Sequence, residues 1–129
     1  KKRRKELEAN FIQNKYDGQY REWYENGKKA LKTKYINGFP DGKFIEWHEN
    51  GKKRLVIVFK DGEKNGSWTQ WYENGQKEMT VEYVNGVPWG EAKFWFKDGS
   101  IQGQGTVKSE VPGGGWLLED AGGNIRIFK

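Results

Sequence analysis

The chain has 129 residues, which suits one domain, and 34% of them are hydrophobic, 32% charged and 16% aromatic. It contains no cysteine, which excludes disulfides, cysteine nucleophiles and thiolate metal sites, and one histidine is too few for a common zinc site. No apolar run approaches the ~20 residues of a membrane-spanning helix. Few hydrophobic but many aromatic residues favour a thin fold that buries large rings.

The net charge of +5 comes from the N-terminus. Five of the 23 basic residues form the run KKRRK at residues 1–5, so the rest of the chain has 18 basic residues against 18 acidic ones. This balance argues against nucleic-acid binding, because phosphate neutralisation supplies most such affinity. Two interpretations of the run stay open, a contact with anionic lipid and a solvated end of a helix that continues into Leu7. The run consists of Lys1, Lys2, Arg3, Arg4 and Lys5.

Residues 1–17 combine this basic tail with an incomplete repeat. Leu7 and Phe11 lie one period before Leu31 and Tyr35, so we expect the second half of an earlier hairpin. The chain begins with lysine rather than methionine, from which we expect that an upstream segment was removed. Export and membrane anchoring therefore both stay open, and the sequence does not identify a cellular compartment.

Four units of 24 residues fill residues 18–113. In each unit, aromatic and β-branched residues flank an Asn-Gly or Asp-Gly pair, which is the strongest short-range signal for a β-hairpin. A further glycine series marks the connections between units, at Gly38, Gly62 and Gly86. The turn sequences are WYENG at Trp23, WHENG at Trp47, WYENG at Trp71 and FWFKDG around Trp95.

Two geometries compete for the first of these turns. A two-residue loop would pair Trp23 with Ala30, whereas a three-residue type I turn with a left-handed Gly27 would pair Trp23 with Lys29 and place Leu31 on the face of Trp23. We favour the second, because it gathers the apolar residues on one face. It predicts a structural ladder of Trp23, Leu31, Trp47, Leu55, Trp71, Met79 and Trp95.

The pattern weakens towards the C-terminus. Ala92, Gly103, Gly105 and the run that starts at Val111 depart from the repeat, which suggests altered strand pairing. Residues 114–129 keep the glycine register and are predicted to form a degenerate capping repeat. The fold class expected for the whole chain is all-β, an elongated single-layer antiparallel meander of about five stacked hairpins.

The face opposite the predicted ladder would be wetter and would carry two rows of rings. Aromatic rows of this kind resemble the residues that anchor protein interfaces. They could equally shield the backbone hydrogen bonds of a sheet that lacks a second layer, and both interpretations stand. The candidate binding residues are Tyr20, Phe44 and Trp68 in one row and Tyr24, His48 and Tyr72 in the other.

No catalytic residue, metal site or cofactor is predicted. His48 occupies the position of a tyrosine in the neighbouring units, which indicates an aromatic substitute rather than a lone base. Glu25, Glu49 and Glu73 recur beside every turn, whereas an active site is normally single. The glycines do not form a GxxxxGK[ST] phosphate loop, which argues against kinase activity.

Three stretches of the chain resemble the bacterial variant form of the MORN repeat. They are DGQYREWYENGKK with YINGFPDG, DGKFIEWHENGKK with FKDGEKNG, and NGSWTQWYENGQK with YVNGVPWG. The resemblance implies a twisted single-layer sheet of hairpins that serves as a platform for protein interaction or dimerisation. Lipid binding has also been proposed for such arrays, and some relatives are labelled phosphatidylinositol-phosphate kinases or antitoxins.

The expected function is a non-enzymatic repeat scaffold that binds a protein partner. One alternative is a membrane-peripheral module that binds anionic lipid through the basic N-terminus and the aromatic face. Another is an antitoxin or immunity protein that neutralises a cognate toxin, which rests on the resemblance alone. Open sheet edges would also allow a homodimer to form by strand addition.

Overall fold

The computed structural model describes the backbone of residues 3–12 and 15–129, and the side chains of residues 3, 4 and 15–129. Within these ranges the chain forms twelve strands in one open antiparallel sheet and no helix, so none of the described residues forms a helix that could span a membrane. The strand order is β1-β2-β3-β5-β6-β7-β8-β9-β10-β11-β12, and β4 pairs with β3. The meander predicted from the repeats is confirmed.

The strands are β1 (Arg3–Ile12), β2 (Lys15–Tyr24), β3 (Lys29–Ile36), β4 (Phe39–Pro40), β5 (Gly42–Trp47), β6 (Lys53–Lys60), β7 (Glu63–Trp71), β8 (Lys77–Val84), β9 (Val87–Trp95), β10 (Ile101–Glu110), β11 (Trp116–Glu119) and β12 (Ile125–Phe128).

The WYENG sequence forms the predicted three-residue turn. The Gly27 N–H donates to the Tyr24 carbonyl at 2.9 Å, and the Tyr24 N–H donates to the Lys28 carbonyl at 2.9 Å. Gly27 is left-handed, with φ of 83°, and Trp23 pairs with Lys29. Asparagine and glycine are favoured here because the turn needs a short polar side chain followed by a residue that tolerates positive φ. The prediction of this turn is confirmed.

The opposite ends of the strands are joined by a second kind of turn. Asn37 and Gly38 both have positive φ, 52° and 84°, which is the signature of a two-residue type I′ hairpin. The same conformation recurs at Asp61-Gly62 and Asn85-Gly86. Asn and Asp are among the few residues that adopt it without a large steric cost.

One extra residue after each WYENG turn overturns the predicted ladder. Trp23 pairs with Lys29 but Glu22 pairs with Leu31, so Ala30 is left over as a β-bulge. Because side chains alternate between faces, this residue sends Leu31 to the face opposite Trp23. The same shift occurs after the other three turns. The ladder predicted from Trp23, Leu31, Trp47, Leu55, Trp71, Met79 and Trp95 is therefore wrong.

We call the face that carries Leu31 the inner face and the face that carries Trp23 the outer face. Across the inner face runs one continuous row of paired residues, Glu22, Leu31, Glu46, Leu55, Gln70, Met79, Phe94 and Gly103. On the outer face the tryptophans pair with Lys29, Lys53, Lys77 and Ile101. The tryptophans thus alternate with lysines, not with leucines.

The sheet curls at its C-terminal end around an aromatic core on the inner face. The rings of Trp68 in β7 and Trp116 in β11 have centroids 5.3 Å apart. Three strands separate β7 from β11, so in a flat sheet they would lie ~19 Å apart. The sheet must therefore bend until its inner face is concave. The core consists of Met79, Val81, Tyr83, Ala92, Phe94, Val107, Trp116, Leu118 and Phe128, with Trp68 against it.

Two glycines that depart from the repeat make this closure possible. A Cβ atom at Gly103 would collide with the ring of Phe128, and one at Gly105 would lie 2.6 Å from the carbonyl oxygen of Glu119. The backbone of β11 thus approaches β10 more closely than a side chain would allow. A register shift between Val107 and Ser109, where β10 pairs with β11, accompanies this approach.

The N-terminal segment is a strand, so the interpretation of its basic run as the end of a helix is wrong. β1 pairs with β2 over its whole length, and Leu7 lies opposite Tyr20. The Arg3 guanidinium lies 3.1 Å from the Glu22 carboxylate and 3.4 Å from that of Glu46. Lys1 and Lys2 lie outside the described residues, as does the side chain of Lys5.

We expect Gly105→Ala to lower the free energy of unfolding by about 2 kcal/mol, because the added methyl group must displace the β11 backbone. Urea or thermal unfolding followed by circular dichroism measures the change. Gly122→Ala is the control, since its Cβ would meet only side-chain atoms at 3.3 Å or more. Equal stability of the two variants would contradict the close approach.

Candidate interaction surfaces

Tyr24, His48 and Tyr72 join neighbouring repeats and do not lie on a wet face. The Tyr24 hydroxyl donates to the Trp47 carbonyl at 2.5 Å, and the Tyr72 hydroxyl donates to that of Trp95 at 2.6 Å. His48 Nε2 lies 2.8 Å from the Trp71 carbonyl and must carry a proton to donate there. Histidine thus substitutes for tyrosine, as predicted, but the predicted solvent-facing position of this row is wrong.

The asparagine of the turn motif has a second structural role. Asn26 Oδ1 accepts from the Lys28 N–H at 2.9 Å, and Asn26 Nδ2 donates to the Glu49 carbonyl at 3.0 Å. The same two bonds recur at Asn50 and Asn74. Each turn is therefore closed by its own asparagine and bonded to the next turn. The motif recurs because it stacks the repeats.

The row of Tyr20, Phe44 and Trp68 lies on the inner face, so its placement on a wetter outer surface is also wrong. The β-bulges are again the reason, since they place these rings on the face of Leu31. All three rings are half-buried against inner-face neighbours. Trp68 packs against Tyr83 and Trp116, and Tyr20 lies 6.1 Å from Tyr35.

Charged side chains occupy the inner face in the N-terminal half. The buried Glu22 accepts a 2.6 Å bond from the Tyr20 hydroxyl and pairs with Arg3, while Glu46 pairs with both Arg3 and Arg54. Burial and the bond to Glu22 raise the pKa of Tyr20 to about 12. Both carboxylates therefore have cationic partners, which lowers the cost of burying them.

The described residues contain no group of three or more His, Asp or Glu side chains that could hold a metal ion. The His48 ring nitrogen Nε2 is taken up by the Trp71 carbonyl. Glu25 and Glu73 are exposed beside their turns, and Glu49 is half-buried. The structure does not bring these residues together into one site, because they lie one repeat apart.

One exposed apolar patch was missed by the sequence analysis. Val84, Val87 and Trp89 are 47%, 61% and 69% exposed. Val84 pairs with Val87, and Glu82 pairs with Trp89, so the three apolar side chains share the outer face at the tip of the β8–β9 hairpin. Clusters of this kind on a sheet surface mark interaction sites more often than isolated apolar residues do.

A departure from the repeat could have revealed this patch. Trp89 stands where the other units have Asp17, Asp41 and Asn65, whose side chains each accept a bond from the following type I′ turn at 3.3–3.4 Å. No such turn follows Trp89, because β10 continues through this position of the repeat. A polar residue is therefore not needed there.

The family model described as MORN repeat variant matches residues 16–37, 40–61, 64–85 and 90–109, which together make up more than half of the chain. These segments coincide with the four units that contain the tryptophan turns. No curated protein matches the chain.

His48 allows the bond between repeats to be tested at one position. We expect His48→Tyr to keep the free energy of unfolding, because the neighbouring units carry tyrosine there. His48→Phe should lower it by about 1 kcal/mol, because the Trp71 carbonyl loses its donor. Urea unfolding of both variants measures the difference. Two equally stable variants would show that the bond contributes nothing.

Alkaline pH should destabilise the fold. Burial is the main cause that raises the pKa of Tyr83 to about 12, and Tyr20 is raised equally, whereas an unfolded tyrosine titrates near ~10. The native state thus favours the protonated phenols, so their stabilisation is complete below pH ~10 and is lost as the pH rises towards ~12. Urea unfolding at pH values between these limits tests the decline.

Phenolate absorbance of the native protein provides the control for this experiment. The pKa values of Tyr35 and Tyr72 are also raised, mainly by burial, so four of the six tyrosines should ionise later than a free tyrosine, and Tyr83→Phe should remove one of the latest. Ionisation of all six in a single step near pH ~10 would contradict the assignment.

Proposed function

Because the chain belongs to the MORN repeat variant family, we propose that it is a non-enzymatic scaffold whose sheet binds a protein partner. Repeats of this family are commonly interaction modules and generally not catalytic. The chain's own side chains agree with such a role. His48 and the tyrosines of its row are used to stack repeats, and Glu22 and Glu46 are paired with arginines.

The patch of Val84, Val87 and Trp89 is the observation that carries this proposal. Trp89 is 69% exposed, although tryptophan loses more than most residues by remaining in water. Tryptophan is also enriched among the few residues that supply most of the energy of protein interfaces. The pair of Val84 and Val87 has an exposed counterpart in Ile36 and Phe39, whereas Trp89 stands where the other repeats carry Asp or Asn.

The two alternative functions, an antitoxin and a lipid-binding module, receive different degrees of support. An antitoxin is one form of the same proposal, because a toxin would be the protein partner. Lipid binding through the N-terminal run receives less support, since Arg3 is held by Glu22 and Glu46 on the inner face. The charge of Arg3, one of the five in the run, is therefore largely compensated within the sheet.

Trp89→Asn tests the proposal with little risk to folding, because the preceding repeat has Asn65 at the same position. The wild-type chain and the variant are used to capture proteins from host lysate, which are quantified by mass spectrometry. We expect a partner that the wild type retains and Trp89→Asn loses by about ten-fold or more, the effect of removing a hot-spot residue.

Phe39→Glu is the matched control. Phe39 is 57% exposed at another hairpin tip, and the next repeat carries Glu63 at this position. The control should retain the partner. A partner that binds Trp89→Asn as well as the wild type would show that the patch is not its site, and the absence of any enriched protein would contradict the scaffold function.

A further inference from the structure

The lysines of the sheet are segregated in a way that the balanced overall charge conceals. The outer face of β3, β5 and β6 carries six exposed lysines and no carboxylate, because the one acidic residue of these strands, Glu46, lies on the inner face with Arg54. In the described part of the chain, none of these six lysines forms an ion pair. The six are Lys29, Lys32, Lys34, Lys43, Lys53 and Lys60.

The tryptophans place some of these charges in a regular row. Lys29, Lys53 and Lys77 each pair with a tryptophan, and the Lys29 ammonium lies 5.6 Å from the centre of the Trp47 ring. Successive lysines of the row lie two strands apart, a distance of ~9.6 Å. At Lys29, the Trp47 ring restricts the aliphatic stem and holds the ammonium group above the sheet.

We propose that this row and the lysines beside it bind an acidic segment of a protein partner. The inference rests on the proposed scaffold function and adds the chemistry of the partner. A carboxylate above a single exposed lysine contributes little, but a segment that meets several of them gains from each. The row therefore favours a ligand with several carboxylates over an isolated anion.

The same geometry argues against other polyanions. Single-stranded nucleic acid is held by bases that stack on open aromatic faces, whereas the tryptophans of the row are half-buried and Lys29 covers Trp47. A membrane is flat, whereas the outer face becomes convex beyond β7, where the sheet curls towards its inner face. A bilayer would therefore not follow the outer face through β8, which carries Lys77.

The test uses the full chain and three fluorescent probes at the same salt concentration. They are a glutamate-rich peptide, a thymidine oligonucleotide of equal formal charge, and vesicles of phosphatidylcholine and phosphatidylserine in equal amounts. Anisotropy measures the first two and sedimentation the third. We expect the peptide to bind most tightly, with an affinity that falls as salt is added.

Charge reversal locates the site. The triple variant Lys29→Glu, Lys53→Glu, Lys77→Glu should bind the peptide about ten-fold or more weakly. A control variant with the same change in net charge, Lys15→Glu, Lys97→Glu, Lys129→Glu, should stay within about three-fold of the wild type. If the first variant does not fold, the three lysines are changed to glutamine, which removes the charges and keeps the polar stems.

Several results would overturn the inference. Tighter binding of the oligonucleotide or of the vesicles would assign the row to nucleic acid or to a membrane. An equal loss of peptide affinity in the control variant would show that binding depends only on the net charge of the protein. No binding of the peptide would also refute it. Trp89→Asn should leave peptide binding unchanged, so failure of the lysine site is distinguishable from failure of the scaffold function.

Discussion

The β-bulge after each WYENG-type turn sets which side chains lie on each face of the sheet. With one extra residue in every repeat, Leu31 and its equivalents are placed opposite Glu22 and its equivalents, and the tryptophans are left to pair with lysines. A sheet without the bulge would combine tryptophan and leucine on one face and leave a charged face behind it. The bulge instead gives both faces large side chains, which protect the backbone hydrogen bonds of a single layer from water.

Hydrogen bonds at both ends of the strands convert single hairpins into an array. At one end, Asn26 and Tyr24 each bond to the next repeat, and at the other end Asp17 accepts from the turn at Asn37. Each bond joins nearest neighbours only, so stability accumulates repeat by repeat. The two ends are completed differently, by ion pairs around Arg3 at the start and by the aromatic core around Trp116 at the finish.

The proposed functional surfaces both lie on the outer face, where the architecture makes few demands on the side chains. The inner face is committed to the core and to compensated charges, and the turns are committed to stacking. On the outer face, exposed lysines pair with the tryptophans. Trp89 stands where the other repeats have a polar residue that bonds to a type I′ turn, and no such turn follows it. A partner could therefore be acquired there without disturbing the bonds that hold the repeats together.

The period, the hairpins and the left-handed Gly27 could be read from the sequence alone, because local turn chemistry fixes them. Which side chains share a face depends on the β-bulges, which only the folded sheet reveals. The bulge residues Ala30, Arg54, Glu78 and Gln102 have nothing in common that would mark them. The curl was equally hidden, since Trp68 meets Trp116 only after the sheet has bent, and contacts between residues so distant in sequence leave no local signal.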